Sequence, residues 1–232
     1  MEFALDQNGF RIDAHNAKKG LEYFCPICHG RVIARQGQTN VDHFAHIARC
    51  SDDWTYDEMS EWHSEWQAQF PRNNREIVVD CDGERHRTDV MACGYAVEFQ
   101  HSPITAEAFN RRNDFYIRYG KKVIWIFDVI EEYDSDKIQC YDEWRSKDDN
   151  GGKYSWKHPR RFLKDYIPQK DKNVIVFFQM AESEHTDSEA SYIERVTWAI
   201  ENDEGSKFTR FCTSYYPGNK SELLEWMKAG KL

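Results

Sequence analysis

Between Arg85 and Ser102 the chain reads RHRTDVMACGYAVEFQHS, two alternating runs that meet at Cys93-Gly94. Glycine supplies the left-handed torsion that a two-residue turn requires, so the segment predicts a β-hairpin. That turn fixes the register: Arg87 opposes Gln100, Asp89 opposes Glu98 and Met91 opposes Ala96. Because side chains alternate along a strand, Arg87, Asp89, Glu98 and Gln100 then share one face. A buried carboxylate is costly without a compensating partner, and two with Cβ atoms ~5 Å apart repel each other. A divalent cation reverses that sign. Hard oxygen ligands at this separation suit Mg²⁺ or Mn²⁺, which polarise a phosphate and acidify a bound water. The structural alternative is an exposed sheet edge, or a pairing of Asp89 with Arg87.

The flanking segments have α/β character. In DEMSEWHSEWQAQFP, Met59, Trp62, Trp66 and Phe70 recur at helical spacing and Pro71 ends the run. With the tryptophans and Phe70 marking the core face, Glu61 and His63 fall on opposite flanks and cannot both enter one site. EIVVDC at 76–81 reads as a strand. SPITAEAFNRRNDFYIRYG reads as a helix with Ser102 as N-cap, Pro103 in the first turn and Gly120 past the end. KKVIWIFDV at 121–129 is apolar enough for a strand buried on both faces.

Three segments follow: 1–56, rich in turn residues and carrying a Cys/His cluster; 57–129, alternating helix and strand; and 130–232. In the third, EEYDSDK is polar, DDNGGK at 148–153 reads as a loop, ESEHTDSEAS at 182–191 is expected to be mobile, NVIVFFQM and YIERVTWAIE read as strands, and SELLEWMKAG as a closing helix. No catalytic constellation stands out there.

The cluster in the first segment spaces its residues C-x2-C-x14-H-x2-H-x3-C, with Cys25, Cys28, His43, His46 and Cys50 as five candidates for the four positions of a Zn²⁺ site. Helical continuation after Phe44 would put His46 and Cys50 on one face. A site filled by four protein donors is structural and stabilises a segment too small for its own core. Seven cysteines at irregular spacing do not form a disulfide framework; Cys81, Cys93, Cys140 and Cys212 are expected as small core residues.

The net charge of -9 excludes a generic polyanion binder, and the three segments are all acidic. Nucleic-acid contact must come from local groups such as Arg111-Arg112, Lys121-Lys122 or HPRR at 158–161. No apolar run approaches the ~20 residues of a membrane span, and MEFALDQNGF lacks the order of a signal peptide, so the expected location is cytoplasmic with no membrane partner. HSEW at 63–66 lacks the second histidine of the zinc-protease H-E-x-x-H pattern.

The string RTDVMACGYAVEFQHSPI, followed by FNRRNDFYIRYGKKVIWIFD, resembles the nuclease core of the competence protein CoiA-like family within the PD-(D/E)xK superfamily. Ser60-Glu61-Trp62-His63 is similar to the S-E-x-H that opens that family's preceding helix, and the resemblance covers roughly residues 20–130. It implies a restriction-endonuclease-like α/β fold, a mixed sheet flanked by helices, with a zinc-ribbon-like module in front and an α+β extension, 130–232, completing or packing on the core. It implies Asp89 and Glu98 as Mg²⁺ or Mn²⁺ ligands, Glu61 as a third acid with His63 as competitor, and Arg87 as a phosphate contact. The family's CPxC…HFAH pattern implies Cys25, Cys28, His43 and His46 as zinc ligands, with Cys50 as the alternative.

Two positions depart from the superfamily. Gln100 stands where Lys is usual, although Gln is the residue of the family's EFQ form, and it orients water only by hydrogen bonds. Gln67 stands where Lys is expected four residues after the helix histidine. The expectation is therefore a metal-dependent DNA endonuclease acting in competence, recombination or anti-phage defence, with DNA and a possible partner protein bound. The alternative is a non-catalytic nucleic-acid- or protein-binding module on a degenerate nuclease fold.

Overall fold

The computed structural model describes residues 1–37, 42–48, 60–145, 150–158, 172–181, 193–200 and 208–232. The chain divides into two compact units, Met1–Met91 and Ala92–Leu232.

The first unit opens with β1 (Phe3–Asp6), β2 (Arg11–Asp13), β3 (Tyr23–Phe24), β4 (Arg31–Arg35) and β5 (His43–His46), antiparallel in the order β2-β1-β3-β4-β5. Register pairs Tyr23 with Val32, Val32 with His46 and Ala34 with Phe44, so these share one face. That face covers a small core of Ala4, Ala14, Ala17, Tyr23, Cys25, Val32 and Phe44. Helix α1 (Glu61–Ala68) begins where Ser60 accepts a hydrogen bond from the His63 N–H, and it buries Trp66 fully. Met59, expected in the same helix, lies outside the described residues. The unit closes with β6 (Arg75–Cys81) paired antiparallel with β7 (Glu84–Ala92), whose last residue crosses the unit boundary.

The second unit contains β8 (Tyr95–Gln100), α2 (Ala106–Arg118), β9 (Lys122–Asp128), α3 (Ile130–Asp134), β10 (Ile138–Arg145), β11 (Asn150–Lys157), β12 (Val174–Gln179), β13 (Ile193–Ile200), β14 (Phe208–Ser214) and α4 (Lys220–Lys228). Its strands form a mixed sheet in the order β10-β11-β14-β13-β12-β9-β8. β9 runs parallel to both β8 and β12, and the remaining neighbours are antiparallel. Thus residues after 130 supply strands to the same sheet as β8 and β9. Val123 through Phe127 have no exposed surface, which fits the continuous apolar run of a central parallel strand. α2 packs on this strand through Phe109, whose ring centroid lies 4.9 Å from Trp125.

Cys93 and Gly94 have φ of 53° and 86°, the paired left-handed torsions of a type I′ turn. Three expectations need correction. Thr105, not Ser102, caps α2, accepting from the Ala108 N–H; Ser102 instead receives the Gln100 side chain. Asn150–Lys153 begins a strand rather than a loop, and Gly151 is required there because a Cβ would collide with the Thr213 carbonyl and the Trp144 ring. Cys93 and Cys140 are exposed and Cys81 and Cys212 only half-buried: Cys93 sits in the turn, Cys140 on the outer strand β10, Cys81 at the end of β6, and Cys212 on the face of β14 opposite the buried Phe211. Residues 182–191 and Pro159–Arg161 lie outside the described residues. Among the described residues no helix is long and apolar enough to cross a membrane.

Candidate metal and catalytic sites

In the first unit, Cys25, Cys28 and His46 bring donor atoms within 4.8 Å of one another. The Cys28 Sγ lies 3.5 Å from the His46 Nε2. A tetrahedral shell with bonds of about 2.0–2.3 Å separates neighbouring ligands by roughly this distance. The loop after Cys25 folds back on itself, with the Cys25 N–H donating to the Gly30 carbonyl and the His29 N–H donating to the Cys25 carbonyl. Its backbone then aims the Ile27 N–H at the Cys25 Sγ and the Gly30 N–H at the Cys28 Sγ, each at 3.4 Å. Burial pushes the Cys25 thiol above its ordinary value while the Cys28 and Ile27 N–H groups oppose it. A Zn²⁺ ion favours the thiolate outright, so the donor set fits that ion.

His43 does not join the three. It is three residues from His46 on one strand, and a period of two sends their side chains to opposite faces. His43 opposes Arg35 on the outer face of β4. Strand structure through His46 also removes the helical spacing proposed for His46 and Cys50, and Cys50 lies outside the described residues.

Also in the first unit, the His63 Nε2 on α1 lies 3.2 Å from the Asp89 Oδ1 on β7, both largely buried. One turn after His63, the buried Gln67 donates its amide to the Asp89 carbonyl at 3.3 Å. Glu61 is exposed at the first position of α1, where a negative charge suits the helix N-terminus. Helical phase therefore brings His63, and not Glu61, to Asp89. Arg87 is buried and reaches Glu76 at 4.0 Å. Burial drives the Glu76 carboxyl up, yet Arg87, the amino-terminal ammonium and the Glu2 and Phe3 N–H groups together outweigh it and hold the group below the usual range. The Arg87 guanidinium is thus engaged in an internal ion pair.

In the second unit, Glu98 on β8 is 2% exposed, and its two oxygens are held by groups one turn apart on α2. Arg112 donates to Oε2 at 3.1 Å and the Tyr116 hydroxyl donates to Oε1 at 2.8 Å. The spacing of four residues places both donors over the strand. Gln100, two residues along the same face, donates its amide to the Ser102 carbonyl at 2.7 Å and to the Ser102 hydroxyl at 3.1 Å. That contact fixes which way its amide oxygen points.

Sequence reasoning missed two groups. Arg112 was legible only as half of a basic pair, and Tyr116 only as a helix-core aromatic; their i, i+4 spacing facing EFQ was the available signal. A cleft of about 340 Å³ in the first unit, lined among others by Phe3, Leu5, Arg11, His29 and Arg85, contains none of the expected ligands.

Comparison with known families gives two matches. Residues 8–53 match the model of the competence protein CoiA N-terminal domain, and residues 83–192 match that of the competence protein CoiA nuclease-like domain. No curated protein and no solved structure matches the chain.

Proposed function

Because the chain belongs to the competence protein CoiA family, we propose that it is a metal-dependent nuclease hydrolysing phosphodiester bonds in DNA, in competence, recombination or defence. The observation that carries this reading is the approach of His63 to Asp89 at 3.2 Å. Two neighbouring ligands of an octahedral ion with bonds of about 2.1 Å stand roughly 3 Å apart, so this pair fits one edge of a cation shell. An imidazole beside carboxylates weights the choice toward Mn²⁺ over Mg²⁺. Glu98 is the further carboxylate that the nuclease-like family match supports as part of the proposal.

A cation held by these residues polarises the scissile phosphate and acidifies an attacking water. The chain's own groups do the positioning. Arg112 and Tyr116 hold the Glu98 carboxylate in one orientation and balance its charge. Gln100, with its amide nitrogen committed to Ser102, offers its amide oxygen to orient a water. Cys25, Cys28 and His46 are three of the four donors of a structural zinc, and Cys50 is the candidate for the fourth.

The net charge of -9 and Gln100 in the place of Lys support a second reading, a binding module on a degenerate nuclease fold. Incubating single- and double-stranded DNA with the chain and Mg²⁺ or Mn²⁺, beside Glu98→Ala, separates the two. Cleavage by the parent alone is expected. Equal cleavage by both proteins, or none with either metal, removes the enzyme reading.

A further inference from the structure

The displacement of His43 from the zinc cluster exposes what the other face of the amino-terminal sheet carries. Register places Arg35 opposite His43, Ile33 opposite Ala45, Arg31 opposite Phe24, Phe24 opposite Leu5 and Leu5 opposite Arg11. Paired residues share a face, so Arg35, His43, Ile33, Arg31, Phe24 and Arg11 form one surface, opposite the face that buries Tyr23, Val32 and Phe44. Ile33 is 46% exposed, an apolar side chain set between two exposed arginines. Arg31 is bonded to Glu22 at 2.9 Å, while Arg35 makes no ion pair among the described residues. At its far end the surface runs into the cleft of about 340 Å³, where Arg11 and Arg85 lie beside Phe3, Leu5 and Pro26, and where the one acid of the lining, Glu76, is already paired with Arg87. Acidic residues are in excess in the chain as a whole, so a face with this sign is selective.

We propose that this face of the five-stranded sheet is the contact surface for a single strand of DNA, with Arg31 and Arg35 on its phosphates and the apolar positions and cleft receiving unstacked bases. The proposal rests on the nuclease reading for the presence of DNA. Alternating cationic and apolar side chains suit a strand, whose phosphates and base faces are both available. A duplex keeps its base faces stacked and offers only phosphates to the arginines. The cleft is of the size that takes a small ligand, about 300 Å³ and above.

The test is fluorescence anisotropy with a labelled oligodeoxythymidylate strand and a duplex of equal length, using the full zinc-loaded chain without added Mg²⁺ or Mn²⁺. Each phosphate contact to a single strand contributes a salt slope of about 0.7. The double variant Arg31→Ala/Arg35→Ala is therefore expected to lower the slope by about 1.4 and to weaken strand binding about tenfold at 0.15 M salt. Zinc content should be unchanged, and Ile33→Ser should weaken the strand but not the duplex. Parent-like affinity and slope in the double variant, tighter binding of the duplex, or no binding by the parent at low salt overturns the proposal. Cleavage by the parent together with unchanged binding in the double variant overturns it alone. Slope loss with no cleavage by the parent upholds it and removes the nuclease reading.

Discussion

The amino-terminal sheet and the sheet of the second unit stabilise themselves in different ways. The former covers a core in which three of seven buried residues are alanine, and it gathers two thiols and an imidazole at one end. The latter packs Trp125, Phe127, Phe177, Phe178 and Phe211 without exposed surface, and it tolerates two buried carboxyl groups, Glu98 and Glu194. A large apolar core tolerates a polar group that is fully hydrogen-bonded, whereas a small one needs a cross-link. The two glutamates differ in turn. Glu98 has the Arg112 cation at 3.1 Å; Glu194 is held by the hydroxyls of Tyr154 and Thr213, with no cation bonded to it among the described residues. Burial accordingly pushes Glu194 up to about 8, against the opposing hydroxyls and with Glu143 adding to the rise.

The largest effect should come from the metal. Chelation of zinc, or Cys28→Ser, removes an apparent binding free energy on the order of 10 kcal/mol. Hydrogen exchange should then show protection lost in β1, β3, β4 and β5 but retained in β9 and β12. Equal loss in both sheets would break the contrast.

Next is Glu98→Ala, which leaves Arg112 without its buried partner and should cost about 3 kcal/mol in denaturant unfolding, together with cleavage. A variant of parent stability would show that the pair contributes orientation alone.

Glu194 gives a smaller, pH-dependent effect. A carboxyl whose folded pKa is raised from 4.5 to about 8 contributes stability that is complete below the lower value and lost as pH rises through the upper one. Between pH 6 and 9 the melting temperature of the parent should therefore fall relative to Glu194→Gln, which cannot ionise. Parallel melting profiles would contradict the cation-free environment.

The smallest effect belongs to His43→Ala, expected to leave zinc content unchanged and to alter stability by less than about 0.5 kcal/mol. His46→Ala should lower zinc affinity. Reversal of that order would mean that the two histidines exchange faces.

The hairpin, α1, β9 and the closing helix were legible because periodicity and turn chemistry act within a few residues: Gly94 forces the turn and Trp66 marks the buried stripe. The Cys25 and Cys28 knuckle was legible for the same reason. The pairing of Arg87 with Glu76 was not, because it depends on which strand lies beside β7. Nor was the choice between Glu61 and His63, which turns on helix phase relative to that strand. HFAH carries two histidines in a pattern that spacing alone admits to one site; only strand geometry separates them. Glycines 151 and 152 read as a loop because the collision that demands the first comes from Trp144 and from Thr213, 62 residues farther on.

We propose that Asp89 and His63 hold one catalytic cation in addition to the structural zinc. Isothermal titration of the zinc-loaded chain with Mn²⁺, beside Asp89→Asn, tests it without requiring turnover. One Mn²⁺ per parent chain, with binding lost in Asp89→Asn and zinc content unchanged, is the predicted result. Equal Mn²⁺ binding by the two proteins, or none by the parent, would contradict it.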